Sequence, residues 1–333
     1  MSNIWEIAKK AEVSIATVSH VINKTRYVSP ELTAKVEKVI KALDYKPNII
    51  AGSLRSKKTK TIGLILPDSS NMVFSKIGQV IEVECAKVQQ NVIFCNSSYN
   101  VDLELRNVDV LRMKTVDGII ILPASNRTDC IEKLLKIDIP FVVVNANVMY
   151  PSIDVVLVDN ETLAYKATEH LIEFGRKAIG YLDRKLDHHY SIDRRNGFIK
   201  AMEKHGLDWN NKYYIRSRGF SYENGYEAMA EILKSRDKPD AIFSYNDIHA
   251  IGAIRAIIDQ GLKVPQDISI IGCDNIPVAQ FLTPSLTTME YPTKELGTEA
   301  CRLLMERIKN PDKKGERVVL GSRLIIREST KEH

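Results

Sequence analysis

The sequence predicts a small all-α head at the N-terminus, followed by an α/β core built from two similar halves. Two short amphipathic segments, with a three-residue connector between them, fill residues 4–23. From Thr61 onward, short β-branched runs alternate with helical stretches, and this alternation occurs twice in succession. A chain of 333 residues is also too long for one ordinary hydrophobic core, so two or three domains are expected.

The first two helices of the head are predicted to pack as a helix-turn-helix. Apolar residues recur at helical spacing in Ile4–Ala11 and again in 14–23, where they occupy one side of the segment. Ser14 can cap the second helix, and the connector Glu12-Val13-Ser14 allows only a tight turn. The second helix of such a motif can enter the major groove of DNA. Spacing alone leaves an ordinary helical hairpin as an equal alternative.

A third helix is predicted to close the core of the head. Ser29, Pro30 and Glu31 give three helix-start signals in order: a capping hydroxyl, a proline at the first position and an acid in the first turn. Pro47 ends this region, because proline disfavours helix at the residue before it. The apolar positions expected to pack on the first two helices are Leu32, Val36, Val39, Ile40 and Leu43.

Residues 48–56, NIIAGSLRS, are predicted to form a conditional hinge helix. Asn48 can cap this segment, but a helix of about two turns is too short to be stable alone in water. Gly52 in its interior costs about 1 kcal/mol more than alanine would. A segment of this kind can become ordered when a partner binds it.

The positive charge of the chain is concentrated in its first 60 residues. They carry 12 Lys and Arg against 5 Asp and Glu, whereas acids slightly outnumber bases in the rest of the chain. A basic head on a near-neutral body favours a polyanionic partner, because neutralised phosphates release condensed counterions. A merely solvated basic surface is the alternative.

The chain is expected to act in the cytoplasm. Its five cysteines have no C-x-x-C spacing and most lie in apolar runs, as reduced core cysteines do. The N-terminus lacks the charged and apolar regions of a signal peptide, and no apolar run is long enough to span a membrane.

The core is predicted to consist of buried parallel strands covered by helices. In the first half, strands are expected at Thr61–Leu66, Val92–Cys95, Gly118–Leu122 and Phe141–Val144, and helices at Phe74–Gln89, Leu103–Met113 and Cys130–Lys136. In the second half, strands are expected at Ala178–Leu182, Ile215–Ser217, Ala241–Ser244 and Ser269–Gly272, and helices at Thr162–Phe174, Arg194–His205, Tyr222–Lys234 and Asp247–Gln260. The cleft between two such halves is the natural place for a ligand.

Three motifs resemble one family of proteins. The stretches AEVSIATVSHVINKTRYVS, YKPN and AGSLRSKKTKTIGL are similar to the head, hinge and first core strand of the LacI/GalR transcription regulators, and the head is especially similar to purine-responsive members. The resemblance covers essentially the whole chain. It implies a homodimeric repressor that binds a palindromic double-stranded operator, and a core of two Rossmann-like subdomains that resembles periplasmic binding proteins.

The resemblance also implies domain boundaries. Residues 1–47 would be the helix-turn-helix DNA-binding domain, 48–60 the hinge helix and linker, and 61–333 the effector-binding and dimerisation core. Within the core, the N-subdomain would comprise about 61–160 and 291–320, and the C-subdomain about 161–290 and 321–330. The helix Pro292–Ile308 would return the chain to the first half.

The head offers two classes of DNA-binding residue. Ala16 can contact a thymine methyl group, His20 a purine edge, and Arg26 can pair bidentately with guanine. The full set of expected base-reading residues is Ile15, Ala16, His20 and Arg26, and the expected phosphate contacts are Ser14, Thr17, Asn23 and Lys24. By resemblance, paired hinge helices would insert Leu54 into the minor groove and kink the duplex. Gly52 stands where relatives more often have Arg, which weakens the hinge contact with phosphate.

The cleft is expected to bind a small effector at the carboxyl ends of the strands. A polyol requires paired donors and acceptors and an aromatic face for its C–H side, and Arg194, Phe220, Asn246 and Asp274 supply that combination. By resemblance, Arg194 begins an R-x-x-G-F effector-binding element in RRNGF. The remaining expected contacts are Ser70, Phe74 and Asn145. Structural alternatives remain: Arg194 can pair with Asp193, Asn246 can cap a helix, and Phe74 can belong to the core.

The class of effector is open, with a sugar or sugar derivative favoured over a nucleobase. Purine-responsive relatives have a basic residue near His188, where this chain reads LDHHY. Asn145 stands where many sugar-responsive relatives have Asp. The resemblance does not fix the sign of the response, because the family includes both induced and corepressor-dependent repressors.

Two other classes of protein are disfavoured. A sugar-binding protein of a transport system explains the cleft, but it predicts a signal peptide and no helix-turn-helix. An enzyme needs a nucleophile with its base, a metal cluster or a phosphate-binding loop, and none of H-E-x-x-H, G-x-S-x-G or a Gly-rich loop is present. No cofactor or metal is therefore expected. A tetramer is not expected either, because residues 328–333 contain no heptad tail.

Overall fold

The computed structural model describes residues 3–24, 26–45, 58–184, 189–209, 213–217 and 219–331. The chain divides into two compact units, Met1–Thr59 and Lys60–His333. The predicted hinge helix, including Leu54 and Gly52, lies outside the described residues. The predicted fold class, an all-α head and an α/β core of two sheets, is confirmed.

The described part of the head contains three helices, α1 (Ile4–Lys10), α2 (Ile15–Asn23) and α3 (Pro30–Ala42). Each begins at a side chain that caps it: Asn3, Ser14 and Ser29 accept hydrogen bonds from backbone N–H groups of the first turn. Their apolar faces meet in one core, with Ile7, Ala11 and Val18 completely buried. One predicted core residue of α3 is wrong: Leu32, in the first turn of α3, is 39% exposed and is not part of the head core.

The second unit has twelve strands and eight α-helices within the described ranges. The strands are β1 (Thr61–Leu66), β2 (Asn91–Asn96), β3 (Gly118–Ile121), β4 (Phe141–Val144), β5 (Asp154–Val158), β6 (Ile179–Arg184), β7 (Tyr214–Ser217), β8 (Ala241–Ser244), β9 (Ser269–Asp274), β10 (Thr287–Glu290), β11 (Arg317–Leu320) and β12 (Arg323–Ile325). The helices are α4 (Met72–Lys87), α5 (Val101–Met113), α6 (Asp129–Leu135), α7 (Asn160–Glu173), α8 (His189–Lys204), α9 (Tyr222–Leu233), α10 (Asp247–Asp259) and α11 (Thr293–Lys309).

These elements form two six-stranded sheets. The first has the strand order β11-β5-β4-β3-β1-β2, and all its pairs are parallel. The second has the order β12-β10-β9-β8-β6-β7, in which only the β10–β12 pair is antiparallel. The chain therefore passes between the sheets after β5, after β10 and after β11. Helix α11 packs on α4 and on the first sheet.

The strands that the sequence did not predict are β5, β10, β11 and β12. Strands β11 and β12 are short, and their side chains are partly or fully exposed, so they lack the apolar run that marks a buried parallel strand. Their pairing partners, β5 and β10, provide the register. Within the described ranges, no helix combines the length and apolar character that crossing a bilayer requires.

The strand orders place a cleft at one edge of both sheets. The order reverses between β1 and β3 in the first sheet and between β6 and β8 in the second. At such a switch point the connections leave to opposite faces, which opens a crevice outside the carboxyl ends of the strands. Residues at or after the carboxyl ends of strands in both sheets line the site described below.

Candidate functional site

A small cavity of about 30 Å³, partly open to solvent, lies where the carboxyl ends of the two sheets meet. The residues that line it are Asn71, Val73, Phe74, Asn145, Arg184, Tyr190, Arg194, Phe220, Tyr245, Asn246, Asp274 and Tyr291. All of the predicted effector contacts except Ser70 are among them. Ser70 is exposed and its hydroxyl donates to Asp68 Oδ1 at 2.7 Å, while its neighbour Asn71 lines the cavity.

Arg194 is held in place by two neighbouring elements. Its Nε donates to Asn160 Oδ1 at 2.9 Å, and its Nη1 donates to the Tyr245 carbonyl at 2.6 Å. Gly197 on the same helix makes this possible, because a Cβ there would lie 2.1 Å from the Glu161 carbonyl oxygen. Helices α7 and α8 thus approach closely enough for Arg194 to reach the start of α7. The suggested structural pairing with Asp193 is not made; among the described residues, Arg194 forms its ion pair with Asp274, at 4.0 Å.

Asp274 ends strand β9 in a strained backbone conformation. Its φ is +122°, a region that residues other than glycine rarely adopt and that tends to occur at functional positions. Burial raises the pKa of the Asp274 carboxyl to about 7, and the positive charge of Arg194 opposes part of that rise. The site therefore presents a desolvated acceptor next to a fixed cation, an arrangement that suits the hydroxyl groups of a polyol.

An aromatic stack connects the two halves of the cleft. Tyr99, which follows β2 of the first sheet, stacks on Phe220, which follows β7 of the second, with ring centroids 5.0 Å apart. His249 anchors this segment, because its Nε2 lies 2.9 Å from the carbonyl oxygen of Gly219. A second contact joins the halves where the Tyr291 hydroxyl donates to Asn145 Oδ1 at 2.6 Å. A ligand in the cleft thus contacts groups that belong to both halves.

Two predicted contacts also have the structural roles that the sequence left open. The Asn246 Oδ1 accepts from the His249 backbone N–H at 2.9 Å and so caps α10. Phe74 is 7% exposed and packs into the core of the first half while also lining the cavity.

The sequence did not predict four of the large polar or aromatic residues that line the cavity. They are Arg184, Tyr190, Tyr245 and Tyr291. A signal was available for Tyr245, since it directly follows the predicted strand Ala241–Ser244 at its carboxyl end. Within the described ranges, no cluster of His, Cys, Asp and Glu is arranged to hold a metal ion.

The head presents the predicted DNA contacts on α2 and the loop after it. Ala16 and Arg26 are exposed and His20 is half-buried. Ile15 is half-buried and packs against the head core, so it has a structural role as well. The hydroxyl of Ser14 caps α2 by accepting from the Thr17 N–H at 3.1 Å. Lys24 is exposed, in the left-handed conformation that ends the helix, and Asn23 is the last residue of α2.

Two family models match the chain. Residues 3–48 match the bacterial regulatory proteins of the lacI family, and residues 168–330 match the periplasmic binding protein-like domain. A transcriptional repressor named PurR from Mannheimia succiniciproducens is 36% identical over 332 residues, which is 99% of each chain. The PurR repressor from Pasteurella multocida is 37% identical with the same coverage.

This chain belongs to the LacI family.

Solved structures of LacI-family proteins share its fold. The lac repressor dimer bound to operator and the anti-inducer ONPF is 25% identical, with a TM-score of 0.90 over 99% of both chains. The regulator CelR in complex with cellobiose is 26% identical, with a TM-score of 0.76 over 99% of this chain and all of that one. A LacI-family regulator from Enterococcus faecium with bound ribose is 32% identical over 81% of this chain and 98% of that chain, with a TM-score of 0.73.

As a LacI-family member, the protein is a DNA-binding transcriptional repressor with an effector-binding core. The transport-protein alternative is excluded, because relatives that match over the full length are repressors and the lacI-family model matches the head. Its full-length relatives carry names of repressors, none of which describes an enzyme.

Replacing His249 with glutamine is expected to reduce the loss of stability of this LacI-family protein in acid. Burial lowers the pKa of His249 to about 4, below the value near 6.5 of the unfolded chain. As the pH falls from 6.5 to 4, the unfolded state therefore takes up the proton first. His249 then lowers the free energy of unfolding by up to about 3 kcal/mol. Urea unfolding at pH 7.5 and at pH 4.5 measures the effect.

Glutamine can still donate to the Gly219 carbonyl but does not titrate. Asp247 and Asp274, whose pKa values burial raises to about 6 and about 7, are common to both proteins, so the difference between them isolates His249. If the variant loses as much stability as the wild type between the two pH values, His249 does not contribute to acid sensitivity.

Proposed function

We propose that the protein is a homodimeric repressor whose head binds a palindromic operator, and whose operator affinity is set by a sugar or sugar derivative in the cleft. It would control genes for the use of that metabolite and would act in the cytoplasm. The observation that supports this most strongly is the cavity that brings Arg194, Asp274 and Phe220 together at the carboxyl ends of both sheets. These groups match the donors, acceptors and aromatic face that a polyol requires.

We assign the roles of the three parts as the sequence suggests. Residues 1–47 would bind DNA through the contacts proposed on α2 and in the loop after it, 48–60 would form the hinge, and 61–333 would bind effector and dimerise. The relatives support the effector class: one has bound ribose and another bound cellobiose. Since those ligands belong to those proteins, the effector of this chain has to be identified by binding.

The test is an operator selection followed by titration with candidate effectors. Full-length protein is used to enrich duplexes from a random library, and the selected duplex is then titrated with protein in the presence of single sugars, sugar acids, sugar phosphates and nucleobases. The proposal predicts an enriched site with two-fold symmetry, and at least one sugar or sugar derivative that changes operator affinity. Response to a nucleobase alone would contradict the proposed effector class, and failure to enrich any sequence would contradict the proposed operator.

Replacing Leu54 with alanine is expected to weaken operator binding by about 10-fold while effector binding is unchanged. The cost of unstacking the bases around an apolar wedge in the minor groove is offset by the extra protein contacts that the bent duplex allows. Truncation of Leu54 removes the wedge and therefore these contacts. Fluorescence anisotropy with the selected duplex measures the change. Leu135→Ala, at an exposed leucine of the core, is the matched control. Equal operator affinities of the Leu54 variant and the wild type would exclude the wedge.

A further inference from the structure

Arg184 is a buried cation at the edge of the cleft, and three of its five N–H donors, on Nε and Nη2, have no hydrogen-bond partner among the described residues. It ends strand β6, is 3% exposed and lines the cavity. Its Nη1 donates to the hydroxyls of Tyr245 at 2.8 Å and of Tyr190 at 3.1 Å. Its Nε and Nη2 have no hydrogen-bond partner among the described residues. A buried charged group in this state is costly unless something binds it.

The carboxylates near Arg184 are engaged elsewhere. Asp183 accepts from the Tyr214 hydroxyl at 2.6 Å and from the Arg184 backbone N–H at 2.7 Å. Asp274 faces the other cavity arginine, Arg194, at 4.0 Å. No carboxylate of the described residues forms an ion pair with Arg184. The charged side chains that line the cavity are thus two arginines and one aspartate, which leaves an excess of positive charge.

Aromatic rings pack against the guanidinium of Arg184, and its Nε and Nη2 are left without a hydrogen-bond partner among the described residues. The Phe220 ring centroid lies 3.8 Å from Cζ, and the rings of Tyr99, Tyr190 and Tyr245 lie between 5.2 and 5.7 Å from it. Stacking of this kind fixes the plane of the group before any ligand arrives. The two unpaired nitrogens, Nε and Nη2, are adjacent on one edge, which is the geometry that binds a carboxylate or a phosphate bidentately.

We propose that the effector of this protein is an anion: a polyol that carries a carboxylate or a phosphate, which Arg184 binds through Nε and Nη2. Asp274 and Asn246 would then bind hydroxyl groups of the same molecule. The inference rests on the proposed function, because it defines the chemical class of the ligand in the same cleft. It assigns to Arg184 a specificity-determining role that the sequence motifs do not reveal.

The test compares matched neutral and anionic ligands on full-length protein. Glucose, galactose and ribose are titrated calorimetrically beside gluconate, galactonate and ribonate, and beside glucose 6-phosphate, galactose 6-phosphate and ribose 5-phosphate. We expect at least one acid or phosphate to bind about 30-fold or more tightly than its neutral parent, as a charge-assisted bidentate contact provides. The acid and phosphate arms distinguish the two sources of the charge.

Variants at Arg184 then test whether this residue causes the preference for the anion over its neutral parent. Arg184→Gln should remove the advantage of the anion over its parent, while Arg184→Lys, which keeps the charge but not the planar fork, should retain part of it. Arg255→Gln, at an exposed arginine of α10 in the same half of the core, should leave the preference unchanged. The wild-type comparison of ligand pairs needs no variant, so it decides the question even if Arg184→Gln does not fold.

Three results would overturn the inference. They are equal binding of neutral and anionic partners, an anion preference that survives Arg184→Gln, and a panel in which no acid or phosphate binds. Operator selection on the same protein distinguishes these three results from a failure of the proposed function. A neutral sugar that binds and shifts operator affinity would agree with the proposed function and would contradict only the inference about charge.

Discussion

Replacing Ala16 with aspartate is expected to reduce operator affinity by about 1000-fold without unfolding the head. Ala16 is exposed in the first turn of α2, the helix proposed to lie in the major groove. A carboxylate there would face the phosphates of the duplex and replace the methyl contact with a base, and like charges at an interface cost several kcal/mol. The same carboxylate is favourable for the isolated helix, because it lies near the positive end of the helix dipole.

The measurement is anisotropy of the selected operator duplex, with circular dichroism to confirm the fold. Ala34→Asp is the matched control, since Ala34 is an exposed alanine on α3 and the change of charge is identical. The control should lose only the small part of affinity that depends on the net charge of the head. If both variants bind the operator equally well, α2 is not the recognition helix.

Replacing Asp274 with asparagine is expected to abolish the response to effector while operator binding in its absence is retained. Asparagine has nearly the same shape and tolerates a positive φ, so the backbone at +122° can be kept. It cannot offer a charged acceptor, and loss of one partner of a buried, hydrogen-bonded charge costs about 2–5 kcal/mol. We expect effector affinity to fall by roughly 1000-fold, near the upper part of that range.

Calorimetry with the effector identified by the panel, and operator titration at saturating effector, measure the two quantities separately. Asp259→Asn, on α10 and away from the cavity, provides the control for removal of an acid from the same half of the core. A variant at Asp274 that binds and responds like the wild type would remove this residue from the site.

The extent to which the sequence predicted the structure depends on how local each signal is. The caps at Ser14 and Ser29 act within one turn, so the starts of α2 and α3 agree with prediction. Strand β12, by contrast, is exposed and only three residues long, and it exists because β10 provides its pairing partner. No local pattern could predict such a strand.

The same distinction explains the site. Asp274 and Asn145 were predicted because polar residues directly after apolar runs indicate the carboxyl ends of strands. Arg184 was missed because its importance comes from packing: Tyr99, Tyr190 and Phe220, from three separate parts of the chain, surround it. Ser70 lies beside a lining residue, and its own hydroxyl is bound to Asp68.

Coupling between effector and operator requires a ligand that prefers one arrangement of the two core halves. The contacts between the halves include the Tyr99–Phe220 stack and the Tyr291–Asn145 hydrogen bond, and Phe220, Tyr291 and Asn145 line the cavity. We expect these contacts to change when the halves move relative to each other. A ligand shifts the equilibrium only by the difference in its affinity for the two states, and the coupling is reciprocal. Operator should therefore change effector affinity by the same factor as effector changes operator affinity.

The most direct test of the account is the operator dissociation constant of the full-length protein, measured by anisotropy with and without saturating effector at one fixed salt concentration. We expect a change of about 10-fold or more, in either direction, that disappears in Asp274→Asn. An operator affinity that effector leaves unchanged, although calorimetry shows the effector bound in the cleft, would contradict it.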